Sequence, residues 1–204
     1  MKLYDSIGPN PKMVRMFAAE KGFSFSQTET VDIMTGANLQ ESYTSKNPAA
    51  ALPAVELDDG TVIAETIAIC ELIEEERPEP VLIGSTPTER AETRMWVRRV
   101  EWKIIQPLTD GFRNGPGIEL FKTRRRTDAS VSPFFVATAQ DGFEWLDKQL
   151  AGRDTIVPGR FSLADVALYS IAEFGLSVGQ PLDPALKNVA TWFDRVKERE
   201  SAQV

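Results

Sequence analysis

Ala54-Val55-Glu56-Leu57-Asp58-Asp59-Gly60-Thr61-Val62-Ile63-Ala64-Glu65-Thr66 reads as a β-hairpin running into a helix. Two short apolar, β-branched runs flank an Asp-Gly pair, which favours the positive dihedrals of a tight turn. The helix that follows extends from about Thr66 to Glu75. Upstream, Lys2 to Ser6 forms a short strand. Met13, Val14, Phe17 and Ala18 recur at helical spacing within a helix from Pro11 to Lys21, and Ser26 to Ile33 is a weak second strand. The chain thus opens with a βαβ unit, an irregular crossing segment and a ββα unit.

That order predicts a thioredoxin-like α/β domain in which helices cover a small mixed sheet. From Thr86 onward no strand pattern survives. Thr86-Pro87-Thr88-Glu89 combines an N-cap, a proline at the first helical position and a reciprocal glutamate, and opens a helix with Val97, Val100, Ile104 and Leu108 on one face. Ser132-Pro133 and Asp183-Pro184 repeat the cap-then-proline pattern. Ser162 to Asp165 is a second capping box, and the helix it opens, Val166 to Ala172, is apolar on nearly every side, as a buried helix is. Val189, Trp192, Phe193 and Val196 form the stripe of a last helix. The expected division is an α/β domain over 1–79, a linker over 80–86 where Pro and Gly cluster, and an all-helical domain over 87–204. Charge divides similarly: residues 1–80 carry 6 Lys/Arg against 14 Asp/Glu, and residues 81–204 carry 17 against 16.

The 204 residues, 42% apolar and 26% charged, suffice for buried cores in two domains. A formal charge of -7 opposes binding to nucleic-acid backbones or anionic lipid, so neither is expected as a partner. The N-terminus lacks the apolar stretch of a signal peptide, and no apolar run reaches membrane length, which points to the cytoplasm. There is no histidine, so Ser-His-Asp triads, Cys-His pairs and His-ligated metals are excluded. The single cysteine, Cys70, rules out an internal disulfide, a Cys-x-x-Cys pair or a thiolate cluster, so any thiol chemistry needs an imported thiol and no metal is expected. Cys70 itself lies in the apolar stretch Ile67-Ala68-Ile69 and reads as a small core residue.

Four stretches, in order, resemble the glutathione S-transferase family over nearly the whole chain. They are Leu3 to Ser6 with Pro9 to Arg15, Asn47-Pro48 through Leu52-Pro53, Asp58 through Ile69, and Phe161 to Asp165. The start, with Met95-Trp96 and Gly111-Phe112-Arg113, is similar to the theta-related yeast and bacterial branch of the cytosolic enzymes. The resemblance implies glutathione as co-substrate, a small hydrophobic electrophile as second substrate, a homodimer and a role in detoxification.

The resemblance also assigns candidate residues. Asn10 precedes Pro11 and reads as the N-cap of the first helix; in the family setting it is also the candidate catalytic residue, its side chain and the helix end facing the glutathione thiolate. Ser6, at the end of the first strand, is the nearest hydroxyl. Leu52-Pro53 falls where the family has a cis-proline, the preceding backbone amide and carbonyl pairing with the cysteinyl part of glutathione. Thr66 can cap its helix while its hydroxyl and amide take the γ-glutamyl carboxylate, and Glu65 pairs with the tripeptide's ammonium. Asn38 matches a position contacting the glycyl end; Lys46 and Asn47 nearby read equally as solvated loop polars. Two departures stand out. Gly8 occupies the place where relatives often carry a catalytic Ser, Thr or Cys, and Asn114 stands where the nearest branch commonly has a histidine. Arg124-Arg125-Arg126 reads as a solvated face that can also reach an anionic substrate. The leading function is therefore a glutathione transferase, with a glutathione-dependent disulfide or peroxide reductase and a non-catalytic glutathione binder as alternatives.

Overall fold

The computed structural model describes residues 1–204 and divides into two compact units, Met1–Val81 with Gln203–Val204, and Leu82–Ala202. In the first unit β1 (Lys2–Asp5), β2 (Gln27–Thr30), β3 (Ala54–Glu56) and β4 (Val62–Ala64) form one mixed sheet of order β2-β1-β3-β4. β1 and β2 run parallel; β3 is antiparallel to both β1 and β4. The helices are α1 (Pro9–Glu20), the short α2 (Glu41–Thr44) and α3 (Thr66–Glu76), of which α1 and α3 pack together. The period of two sorts the strand residues: Tyr4 and Ala54 join a buried cluster with Val31, Tyr43 and Leu52, while Leu3 and Val55, paired across β1 and β3, bury on the opposite face. Lys21 closes α1 from inside the unit. Fully buried, it pairs with Glu74 of α3 at 2.7 Å and donates to the carbonyls of Pro78 and Pro80, which anchors the chain as it leaves α3.

Helix α1 starts two residues earlier than the spacing predicts. Gly8 at φ 113° is its N-cap, and Pro9, Asn10 and Pro11 are its first three residues. The two prolines fit there because the first turn requires no N–H of them. Asn10 is therefore inside the helix and caps nothing. At α3 the N-cap is Glu65, and Thr66 is the first helical residue without a capping bond.

The second unit is helical throughout. Thr86 and Glu89 form the expected capping box of α4 (Pro87–Val100). A π-helical turn, Glu101–Ile105, carries the chain into α5 (Gln106–Asn114), and the short α6 (Ile118–Phe121) precedes α7 (Ser132–Gln149), α8 (Leu163–Ser177) and α9 (Lys187–Lys197). Pro107 has no N–H to offer the Lys103 carbonyl four residues back, and Gly142 of α7 comes so close to that carbonyl that a Cβ would meet it at 2.1 Å. Helix α8 is buried from Leu163 to Ala172, and Ser162 and Asp165 form its capping box. Trp192 donates its indole N–H to the same Asp165.

Two readings of this half need correction. Ser132 is the first residue of α7, not its cap, and its hydroxyl donates to the Gly111 carbonyl. Asp183 caps only a turn through the Ala185 amide; α9 begins at Lys187, where Asp147 of α7 accepts from the Asn188 and Val189 amides. Within the stretch 80–86, Leu82 and Ile83 are buried and the Leu82 carbonyl accepts from the Leu163 amide. No helix is long and apolar enough to cross a membrane.

Candidate functional site

Register brings the separated stretches of the first unit together. Ala54, at the start of β3, pairs with Tyr4 near the end of β1 on one side and with Ala64 at the end of β4 on the other. Because β3 is antiparallel to both neighbours, the residues just before it, Leu52 and Pro53, emerge at the same end of the sheet as Ser6 to Asn10 after β1 and Glu65-Thr66 after β4. Three loops, the first more than forty residues ahead of the other two in sequence, thus meet at one sheet end.

The polar groups at that end are unevenly committed. Leu52-Pro53 is a cis peptide bond, and the backbone N–H and C=O of Leu52 bond to nothing in the protein. Glu65 is exposed and adopts φ 69°, a conformation uncommon for a residue with a side chain. Its carbonyl accepts from the Ile69 amide while its carboxylate has neither an ion pair nor a hydrogen bond. The Thr66 hydroxyl is likewise uncommitted at the N-terminus of α3, where free amides and the helix dipole favour an anion. In α1 the first turn offers less than a usual helix end: Pro9 and Pro11 lack an N–H and the Lys12 amide returns to the Gly8 carbonyl at 3.2 Å, which leaves the Asn10 amide. The Asn10 side chain is half-buried and unbonded.

Other candidates are turned away from this end. The buried Ser6 hydroxyl donates to the Val31 carbonyl at 2.7 Å, so its proton is already engaged. Asn38, 2% exposed, points inward and donates to the Ala50 carbonyl at 2.7 Å, so it shapes the loop and has no side-chain surface for a glycyl group. Asn47 is buried rather than solvated: its amide donates to the Ala51 carbonyl and its oxygen accepts from the Ala49 amide. Lys46 pairs with Glu56 at 3.3 Å. Sequence reasoning missed Tyr43, whose hydroxyl donates to the Ala51 carbonyl at 2.6 Å, and Arg15, which holds the Asp5 carboxylate at the end of β1 at 2.7 Å. Together Asn38, Tyr43 and Asn47 fix the carbonyls of Ala50 and Ala51, the two residues ahead of Leu52. Cys70 is fully buried and burial pushes its thiol well above the ordinary range, so it is no nucleophile. In the second unit Asn114 is buried, donating to the Asp110 carbonyl and accepting from the Asp128 amide. A shallow depression of about 320 Å³ lies between α7 and residues 179–186 and contains none of the candidate residues.

Known proteins match this chain along its length. The glutathione S-transferase N-terminal domain profile matches residues 7–76 and the C-terminal domain profile residues 108–195. Glutathione S-transferase 2 of Saccharomyces cerevisiae is 28% identical over 214 residues, covering 100% of this chain and 88% of its own length. Among solved structures, Gtt2 from Saccharomyces cerevisiae superposes with a TM-score of 0.92 at 28% identity, covering 100% of this chain and 99% of the other. A glutathione S-transferase domain-containing protein from Marinobacter aquaeolei gives 0.92 at 31% identity, covering 98% and 99%. With both domain profiles matched in order, the same fold and a sheet end that gathers the motif residues, this chain belongs to the glutathione S-transferase family.

Proposed function

We propose that the protein is a glutathione transferase. The observation that carries this reading is the set of uncommitted groups at one sheet end: the Leu52 backbone, the Glu65 carboxylate on its unusual backbone, and Thr66 at a helix N-terminus. They suit a tripeptide with an ammonium, a carboxylate and an extended backbone. Glu65 takes the ammonium, Thr66 and the start of α3 take the γ-glutamyl carboxylate, and the Leu52 amide and carbonyl pair with the cysteinyl residue. The Asn10 amide and side chain then face the sulfur. A free thiol near pKa 8.5 is mostly protonated at pH 7; a drop of about two units, roughly 2.7 kcal/mol, makes thiolate dominant. One or two hydrogen bonds and the helix dipole supply energy of that order. The thiolate attacks an electrophilic carbon, a C–S bond forms, and the leaving group departs with its electron pair. The helical unit supplies the hydrophobic electrophile's site, and the working form is a cytoplasmic homodimer.

One observation favours a second reading. The loop between β1 and α1 offers no free side-chain hydroxyl, since Gly8 has none and Ser6 donates to Val31. Disulfide or peroxide reduction, in which a second glutathione completes the redox step, asks less of such a group. Calorimetric titration with glutathione tests the shared premise: the parent binds, and Glu65→Gln and Thr66→Val each weaken binding at least about tenfold. Unchanged affinity in both variants refutes the site. Turnover with 1-chloro-2,4-dinitrobenzene against a glutathione mixed disulfide then separates transferase from reductase, and binding without either turnover identifies a glutathione binder.

A further inference from the structure

Ala50, outside the sheet end and two residues ahead of Leu52, adopts φ 53°, in the left-handed region that a residue with a Cβ rarely enters. A residue stays there only where its surroundings hold it. Two hydrogen bonds do so here. The Ala50 amide donates to the Asn47 carbonyl at 2.9 Å, and the Ala50 carbonyl accepts from the Asn38 side-chain amide at 2.7 Å. Asn47 belongs to the same turn as Ala50 and moves with it. Asn38 reaches in from a separate 3₁₀ turn, Ala37–Leu39, twelve residues earlier in the chain. It supplies the hydrogen bond that holds Ala50 from outside its own turn.

Making that bond leaves Asn38 half satisfied. The side chain is 2% exposed, and its Oδ1 is buried with no hydrogen-bond partner. Buried polar atoms are nearly always bonded, and an orphaned acceptor is unfavourable. A leucine of similar size would avoid it. One hydrogen bond thus joins a disfavoured backbone to an incompletely bonded amide, and two local violations at one contact point to placement of the chain rather than to stability. The residues that follow show what is placed. Tyr43 and Asn47 donate to the Ala51 carbonyl at 2.6 and 2.9 Å, and Tyr43 packs edge to face on Tyr4 of β1 at 5.8 Å. Rotation of Ala50 to negative φ would swing this peptide off its donors. The Leu52 N–H and C=O would turn with it, since neither has a hydrogen bond of its own to resist.

We propose that Asn38 is a positioning residue: by holding Ala50 in the left-handed conformation it sets the direction in which the Leu52 amide and carbonyl meet glutathione. The inference rests on the glutathione reading of the sheet end and adds to it a residue that touches no ligand. The test is calorimetric titration with glutathione in a double-mutant cycle with Ala50→Gly, because glycine enters the left-handed region freely. Ala50→Gly alone should raise the Tm by about 2–4 °C. Asn38→Leu should weaken glutathione binding at least about tenfold in the parent background and about threefold or less in the Ala50→Gly background. Asn38→Ala makes the same comparison if the leucine variant does not fold. An asparagine that only packs would weaken binding equally in both backgrounds. Glu65→Gln, which removes a ligand contact, should lose the same affinity in either. Equal losses for the Asn38 variants in the two backgrounds, undiminished binding by them, a recovery of Glu65→Gln by Ala50→Gly, or a lowered Tm for Ala50→Gly overturns this proposal while the parent still binds glutathione. A parent that does not bind glutathione refutes the site and this proposal together, so the two failures are distinct.

Discussion

Gly8 and Glu65 hold the two unusual backbone conformations at the candidate site, and they respond to substitution in opposite ways. Gly8 sits at φ 113° and ψ 173°, a region open almost only to glycine, although a Cβ there would touch nothing within 4 Å. The missing hydroxyl is thus a matter of backbone geometry. Gly8→Ser should lower unfolding stability by about 1–3 kcal/mol without raising transferase turnover, measured by urea denaturation and a chloronitrobenzene assay. A stable, more active variant would contradict this account of α1. Glu65, by contrast, carries a side chain at φ 69°. Glu65→Gly should leave stability unchanged or raise it by up to about 1 kcal/mol while glutathione binding falls, a separation that a purely structural glutamate would not show. Both positions were legible as departures or motif matches in the sequence. Their dihedrals were not, because they are set by how β1 and β4 deliver the chain into α1 and α3.

At the level of elements, the local caps of α4 and α8 could be read directly, because Thr86 with Glu89 and Ser162 with Asp165 close within one helical turn. The start of α9 could not, since its cap is Asp147, forty-one residues away on α7. The junction of α7 with the π-helical turn is the sharpest case of packing that no local pattern announces. Gly142 reads as an ordinary, slightly unfavourable helix residue, yet its Cα faces the Lys103 carbonyl with no room for a methyl group. Gly142→Ala should therefore destabilise the protein by about 1–3 kcal/mol or more, where helix propensity alone predicts a gain of about 1 kcal/mol. Thermal melting decides between the two signs.

Across the whole molecule, Asp165 ties α8, α9 and the loop before α8 together by accepting from the Ile156 amide, the Ser162 amide and hydroxyl, and the Trp192 indole. Burial nevertheless outweighs these bonds and pushes its carboxyl up to about 6. The folded protein then holds a proton that the unfolded chain releases near pH 4, so this residue's contribution to stability is full below about pH 4 and is lost as pH rises through about 6. Between pH 5 and 7.5 the parent should lose about 1 kcal/mol relative to Asp165→Asn, read from urea unfolding of both proteins. An invariant difference would place the Asp165 titration near that of a solvated carboxylate. Such couplings mark the boundary of sequence reading. Hairpin, order of elements along the first unit, helical second half, two capping boxes and the family motifs were all determined by the sequence, because turn chemistry, periodicity and capping act over a few residues. What the tertiary structure alone decided are contacts between residues far apart in the chain: the sheet end that gathers Leu52, Glu65 and Asn10, the inward turn of Asn38 onto Ala50, the buried Lys21–Glu74 pair, and the convergence of Arg113 and Arg125 on Asp110. Direction and burial of a polar side chain follow from what packs around it, and that neighbourhood exists only once distant elements have met.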